Sequence, residues 1–467
     1  MRSPILDYLD TIVEQTAHVD SGALADYIPE LAAADPDGVA VALCTVNGTV
    51  YGSGGCDHRF SIQSMSKPFA YALAIEDHGL EAVREHIGVE PSGEAFNELS
   101  LDPETGKPRN PMINAGAIAT HALLKEDEAP ALDRMLDLFS RLVERPVEVD
   151  EPVAASELAT GDRNLGLAYL LHASGALGRD PRAAVTGYTR QCAASVSVRD
   201  LALMAATLAN AGVQPNTGER VFSRETTRQV LGVMATCGMY DAAGDWLTTV
   251  GIPAKSGVAG GIIGVLPGQV GVAVFSPRLD PHGNSARGVA MMQHLSEDLG
   301  LHLMESGRPA RSSLRETRAA TVDGEPATVY VLQGDLVLSS IESLVREIIE
   351  NPPSTDLVVF DMSRVDEVLP VARRTSAQTA TKLMDEGTGS SWSTRRAPWP
   401  ISRTARGARS SAGPPSDWRT TPSETGRAGA ARTPKAAGLT TLRRTWHIFS
   451  GPKASISNTP PRSSSTR

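Results

Sequence analysis

The chain has 467 residues, 41% of them hydrophobic, with a formal charge of −10. That length supports two or three domains with substantial cores. No run of about 18 apolar residues is present to span a membrane, Met1 to Val13 mixes Arg2 with Asp7 and Asp10 instead of forming a cleavable apolar core, and the expected location is cytoplasmic.

Four cysteines, Cys44, Cys56, Cys192 and Cys237, lie far apart without a C-x-x-C pair. This argues against a disulfide framework and against a zinc site, and they read as reduced thiols in the core or near a site. The charge is uneven: Leu369 to Arg467 holds 17 lysines and arginines against 4 acids, and residues 1–368 hold 27 against 50. An acidic body repels nucleic acid, so any phosphate-backbone binding would fall to the basic tail, and no specific nucleic-acid partner is expected.

The chain opens with a helical pattern, Ile5 to Thr16, and passes through Ala25-Asp26-Tyr27-Ile28-Pro29. Val39 to Val46 and Thr49 to Gly52 are β-rich and separated by Asn47-Gly48, a strong hairpin signal. The hairpin leads to Ser61-Ile62-Gln63-Ser64-Met65-Ser66-Lys67-Pro68 and then to the apolar run Phe69 to Ile75, a buried helix. Proline is tolerated only in a helix's first turn, so Pro68 places the helix start within a residue or two of Ser64.

Ser64 and Lys67 then share one end of that helix, with Cβ atoms roughly 5–6 Å apart. A serine hydroxyl needs a neighbour to take its proton, and a lysine can do so if its pKa is depressed by burial or nearby charge. The pattern S-x-x-K alone also fits a capping serine and a solvated lysine.

Beyond it come loop-rich segments including Pro111-Met112-Ile113-Asn114-Ala115-Gly116, then helical patterns at 132–142, 165–172, 198–211 and 226–237. Three short strands follow, at 252–256, 261–266 and 271–275, separated by Gly-Gly and Pro-Gly-Gln turns. Two strands at the front, three at the back and helices between predict one antiparallel sheet closed by the two ends of an α+β domain. The third group contains Lys255-Ser256-Gly257, and S-x-x-K followed by K-[ST]-G on a late strand is the pattern of serine β-lactamases and penicillin-binding proteins.

Residues 20–304 resemble the serine-dependent glutaminases. The resemblance lies in Ala25-Asp26-Tyr27-Ile28-Pro29, Gln63-Ser64-Met65-Ser66-Lys67-Pro68, Pro111 to Ile118, Gly161-Asp162-Arg163-Asn164, Ala205 to Asn210, Cys237-Gly238-Met239-Tyr240-Asp241 and Ala254 to Gly261. It implies a β-lactamase-like fold, hydrolysis of L-glutamine to L-glutamate and ammonia, and homo-oligomeric assembly. Position by position, it implies Ser64 as nucleophile, Lys67 as base, Tyr240 as a proton-moving tyrosine and the backbone N–H groups of Ser64 and Val258 as the oxyanion hole. It further implies Glu157 as the partner of the substrate ammonium, with Asn114, Asn164 and Tyr188 holding its carboxylate and amide, and Tyr27 and Gln63 lining the pocket. Asn114 capping a helix, Asn164 closing a turn, Glu157 on an acidic surface and the tyrosines as amphipathic core are the plainer readings of the same residues. Tyr188 is followed by Thr189-Arg190-Gln191-Cys192-Ala193, where the family usually has serine in place of Ala193, so local hydrogen bonding is expected to differ.

The catalytic domain is read as 1–304 and a linker as 305–326. Ala327 to Val368 resembles the first half of a STAS-type regulatory domain, through the strand Thr328 to Leu332, the helix Ser340 to Glu350 and the strand Leu357 to Phe360. Residues 369–467 lose apolar periodicity and read as a disordered basic tail or the product of a shifted reading frame, although they hold four of the five tryptophans. No metal or organic cofactor is implied, since there is no H-E-x-x-H or EF-hand loop. A penicillin-reactive hydrolase and a catalytically inactive regulatory protein are the alternatives.

Overall fold

The computed structural model describes residues 2–92, 101–102, 104–127, 129–305, 313–322, 324–355 and 357–385, together with short strands at 392–394 and 446–449. It divides into two compact units. One comprises residues 1–314, 333–352 and 365–382, and the other residues 315–332, 353–364 and 383–467.

In the first unit the strands are β1 (Ala40–Thr45), β2 (Val50–Gly54), β3 (Phe60–Ser61), β4 (Ser195–Val196), β5 (Ala254–Gly257), β6 (Gly261–Leu266) and β7 (Val270–Phe275). Five of them form one sheet in the order β2-β1-β7-β6-β5, antiparallel throughout, with Ala42 opposite both Gly52 and Ala273. This is the predicted sheet, closed by the two ends of the domain. β3 and β4 make a separate antiparallel pair.

The sheet is covered on both faces, and the two-residue period of a strand divides its side chains between them. Ala40, Ala42, Cys44, Ile263, Val265 and Ala273 pack with the helix Val198–Ala209. Val41, Leu43, Ile262, Val272 and Val274 pack with Ile5, Leu9 and Ile12 of the helix Pro4–Gln15 and with Met291 and Leu295 of the helix Ala286–Leu299. The intervening chain, residues 46–253, supplies a helical layer that includes Asn114–Leu123, Glu151–Ala159, Asp162–Ala173 and Pro181–Cys192.

The first unit does not stop at Met304, where the sequence reading ends the catalytic domain. Leu338 of the helix Leu338–Glu350 and Val371 of the helix Pro370–Asp385 join the core built on Ile5, Leu9 and Leu43. Glu342 is buried and its Oε1 accepts a 2.8 Å hydrogen bond from the Tyr51 hydroxyl of β2. Arg374 pairs with Asp298 at 3.2 Å, and Lys382 pairs with Asp7. The helix at 370–385 therefore replaces the start of the predicted tail. Its inward positions include Val371, Ala372, Thr375 and Thr379, small or polar residues that give little apolar signal.

A second sheet holds β8 (Leu314–Val322), β9 (Glu325–Leu336) and β10 (Leu357–Val368), with β11 (Trp392–Thr394) and β12 (Trp446–Phe449), in the order β11-β12-β10-β9-β8. Val322, Ala327, Val329, Val331, Leu357 and Val359 form a small core of their own. β9, the following helix and β10 match the predicted elements, whereas β8 occupies much of the predicted linker. It is an edge strand with mostly exposed, polar side chains, which is why its composition reads as a connector. β11 and β12 fall within the predicted disordered tail; apart from them and the helix at 370–385, that tail lies outside the described residues.

Candidate active site

β3 delivers the chain to a 3-10 turn, Gln63–Ser66, which runs directly into the helix Lys67–His78 with Pro68 in its first turn. Ser64 thus sits in the tight turn and Lys67 at the first α-helical position. Gln63 has φ +50°, a left-handed conformation that costs a non-glycine residue about 1–3 kcal/mol and persists only where neighbours hold it. Its Nε2 donates to Ser61 Oγ at 3.1 Å and to Glu157 Oε1 at 3.1 Å. The backbone immediately before Ser64 is therefore fixed from two sides.

Lys67 is 1% exposed. Its amine donates to the Met112 carbonyl at 3.1 Å and to Asn114 Oδ1 at 2.8 Å. Burial brings its pKa down to about 8; the nearby Tyr240 opposes this and Lys255 reinforces it. Asn114 opens the helix Asn114–Leu123 and gathers two more partners, accepting from the Tyr188 hydroxyl at 3.3 Å and donating through Nδ2 to Asn164 Oδ1 at 3.1 Å. The Tyr188 ring lies 6.0 Å from the Lys67 amine.

Glu157 projects from the helix Glu151–Ala159, which Asp150 caps by accepting from the Val153 N–H. Its Oε1 accepts from Tyr27 at 2.8 Å as well as from Gln63. Burial raises the Glu157 pKa, and these two hydrogen bonds work against that rise. Tyr27 keeps 44% of its surface exposed while making this bond, so it stands at the rim.

These side chains enclose a cavity of about 300 Å³, lined by Tyr27, Gln63, Ser64, Asn114, Glu157, Asn164, Tyr188 and Val258 together with Thr160, Gly161, Arg163, Thr189 and Cys192. All eight of the predicted pocket residues other than Tyr240 contribute. Lys67 stands behind the wall at Asn114. Tyr240 lies against β5, where its hydroxyl donates to the Ser256 carbonyl at 3.3 Å. β5 packs on the Gln63–Ser66 turn so closely that a methyl group on Gly257 would sit 3.2 Å from the Ile62 carbonyl oxygen and 3.3 Å from Gln63 Cβ. That approach carries Val258, the next residue, to the cavity.

Of the second group of lining residues, sequence reasoning had placed only Cys192, as a thiol in the core or near a site. Gly161 and Arg163 flank Asn164 in a stretch already marked as informative, and Cys192 lies one helical turn after Tyr188, a spacing that shares a face. Thr160 and Thr189 carry no local signal. Lys255 was read only as part of a motif, and the fold encloses it completely beside Tyr240. Among the described residues no group of three or more His, Cys, Asp or Glu could hold a metal ion, and no helix is long and apolar enough to cross a membrane.

A family model described as Glutaminase matches residues 22–304, well over half of the chain. The chain belongs to the glutaminase family. A glutaminase of Corynebacterium glutamicum is 48% identical over 387 residues, covering 82% of this chain and 92% of its own. A glutaminase of Microcystis aeruginosa is 47% identical over 309 residues, 66% of this chain and 91% of its own. Among solved glutaminase structures, a probable glutaminase from Bacillus subtilis complexed with 6-diazo-5-oxo-L-norleucine is 29% identical, with a TM-score of 0.59 over 65% of this chain and 97% of its own. The crystal structure of Mglu is 46% identical, with a TM-score of 0.65 over 83% of this chain and 97% of its own. Coverage of 82–83% exceeds what residues 1–304 can supply, so similarity to the Corynebacterium glutaminase and to Mglu extends past the end of the family match.

Proposed function

We propose that this glutaminase hydrolyses L-glutamine to L-glutamate and ammonia through a glutamyl ester on Ser64. The observation that carries the reading is the grouping, around one cavity of about 300 Å³, of Ser64, a carboxylate held by Tyr27 and Gln63, and the Asn114–Asn164 amide pair, with a buried lysine on Asn114. A zwitterionic amino acid matches that set: Glu157 takes the ammonium, while Asn114, Asn164 and Tyr188 hold the carboxylate and amide.

The hydrogen bonds of Lys67 suit a base. A neutral amine has two N–H groups and one lone pair; Met112 O and Asn114 Oδ1 take up the two hydrogens, which leaves the lone pair for the serine proton. With a pKa of about 8, roughly a tenth of the Lys67 population is neutral at pH 7. Ser64 Oγ attacks the side-chain amide carbon as its proton passes to Lys67. The N–H groups of Ser64 and Val258 receive the oxyanion, and such donors are typically worth about 3–4 kcal/mol each in the transition state. Collapse breaks the C–N bond, and the leaving nitrogen takes the proton from Lys67 by way of Tyr240, departing as ammonia. Water then attacks the ester, Lys67 accepts its proton, and the second collapse returns that proton to Ser64 and frees glutamate.

The reading is tested with Ser64→Ala. Ammonia release from L-glutamine should vanish while glutamate binding persists, and 6-diazo-5-oxo-L-norleucine should add covalently to the wild type but not to the variant. Retention of a tenth of the activity would sink the assignment.

A further inference from the structure

Lys255 is fully enclosed on β5, where a lysine carries a large desolvation cost that an apolar side chain of similar length would avoid. Among the described residues its amine has a ring partner and a hydrogen-bond acceptor. It lies 3.8 Å from the centre of the Tyr240 ring, and it donates to the Ser256 carbonyl at 2.8 Å. The Tyr240 hydroxyl donates to that same carbonyl at 3.3 Å. Amine and phenol are thus tied to one backbone oxygen while the amine also covers the ring face.

The backbone of Tyr240 needs such a hold. Tyr240 has φ +58°, a left-handed conformation in a short 3-10 turn, Tyr240–Ala242. Two residues earlier the chain is pressed against β5: a methyl group on Gly238 would sit 1.8 Å from the Ala254 carbonyl oxygen, so only glycine permits the approach. The turn is therefore seated on the strand by Gly238 at its start and by the Lys255 amine at the ring. Burial lowers the Lys255 pKa well below the ordinary lysine value, and the contact holds in either protonation state, as a cation over the ring or as an N–H donor to it.

We infer that Lys255 is a positioning residue that fixes the Tyr240 ring and hydroxyl for proton transfer in glutamine hydrolysis. The inference rests on the proposed role of Tyr240. It gives the lysine of the Lys255-Ser256-Gly257 stretch a task distinct from binding substrate, and Lys255 does not line the cavity.

The experiment is a double-mutant cycle with Lys255→Met and Tyr240→Phe, reading kcat and KM for L-glutamine. Tyr240→Phe should lower kcat about a hundredfold, the scale of one proton-transfer group. Lys255→Met should lower kcat about tenfold or more with KM within about threefold, and the double variant should be no slower than Tyr240→Phe alone. Losses that multiply in the double variant, or a Lys255→Met effect confined to KM, would overturn the positioning role while leaving Tyr240 in place. An unchanged kcat for Tyr240→Phe would overturn the relay and this inference together. If Lys255→Met does not fold, the same cycle is run with Lys255→Arg, whose planar cation stacks on a ring with altered geometry; its kcat loss should likewise disappear in the Tyr240→Phe background, and persistence there counts against the role.

Discussion

The Lys67 amine donates to the side-chain oxygen of Asn114 across 2.8 Å, with no charge on the acceptor. A neutral amide holds the amine without stabilising its protonated form as a carboxylate would. Asn114→Asp should therefore raise the Lys67 pKa by about 1–3 pH units. Because the neutral amine is the base, the acid limb of the kcat/KM profile should move to higher pH by that amount. A limb that stays in place would separate Lys67 from the titrating group.

In the wild type the same logic sets the pH dependence. Lys67 loses its proton as pH rises through about 8, so activity should climb from pH 6 to 9, and Lys67→Arg, charged throughout, should be nearly inactive. The unfolded chain keeps that proton up to the ordinary value of 10.5, so this group's contribution to stability also rises with pH between about 8 and 10.5. Activity falling from pH 6 to 8 would contradict the assignment.

Glu157→Gln removes the charge that meets the substrate ammonium while leaving an acceptor for Tyr27 and Gln63. KM for L-glutamine should rise about 10- to 100-fold, the scale of a charged hydrogen bond, with a smaller change in kcat. Steady-state kinetics that match the wild type would return Glu157 to a structural part in holding Gln63.

Truncation after Met304 separates catalysis from stability. Every cavity residue lies between Tyr27 and Val258, so glutamine hydrolysis should continue near the full-length rate. The shortened protein loses Leu338 and Val371 from the core and leaves the Tyr51 hydroxyl without Glu342. At about 1.5–3 kcal/mol for each large side chain, its Tm should fall several degrees below that of a chain ended at Asp385. Equal Tm values would show that the two C-terminal helices contribute nothing, and a folded but inactive protein would make them part of the enzyme.

The central sheet was legible because its strands are short apolar runs bounded by Asn-Gly, Gly-Gly and Pro-Gly-Gln, and Ser64 with Lys67 because Pro68 fixes a helix start. Ser64 instead occupies a 3-10 turn held by a strained Gln63, a detail that no periodicity carries. The extension of the first unit beyond Met304 was hidden for a different reason. The helix Pro370–Asp385 buries threonines and alanine, and Glu342 is an acid buried against a tyrosine 291 positions away as well as beside Arg346 one turn on. Lys255 illustrates the same limit, since a lysine in a strand reads as polar until the fold closes a tyrosine ring over it.

At the middle of the sheet β1 pairs with β7, joining Ala40 to Phe275 and Thr45 to Val270. On a ribosome adding about 5–20 residues per second, the partner of β1 emerges roughly 10–45 seconds after it. During that interval one edge of the N-terminal hairpin lacks its neighbour, and Ala40, Ala42 and Cys44 lack the helix Val198–Ala209 that covers them. The nascent protein is thus obliged to wait with an adhesive strand exposed, and its yield in a cell should depend on chaperones that shield such edges.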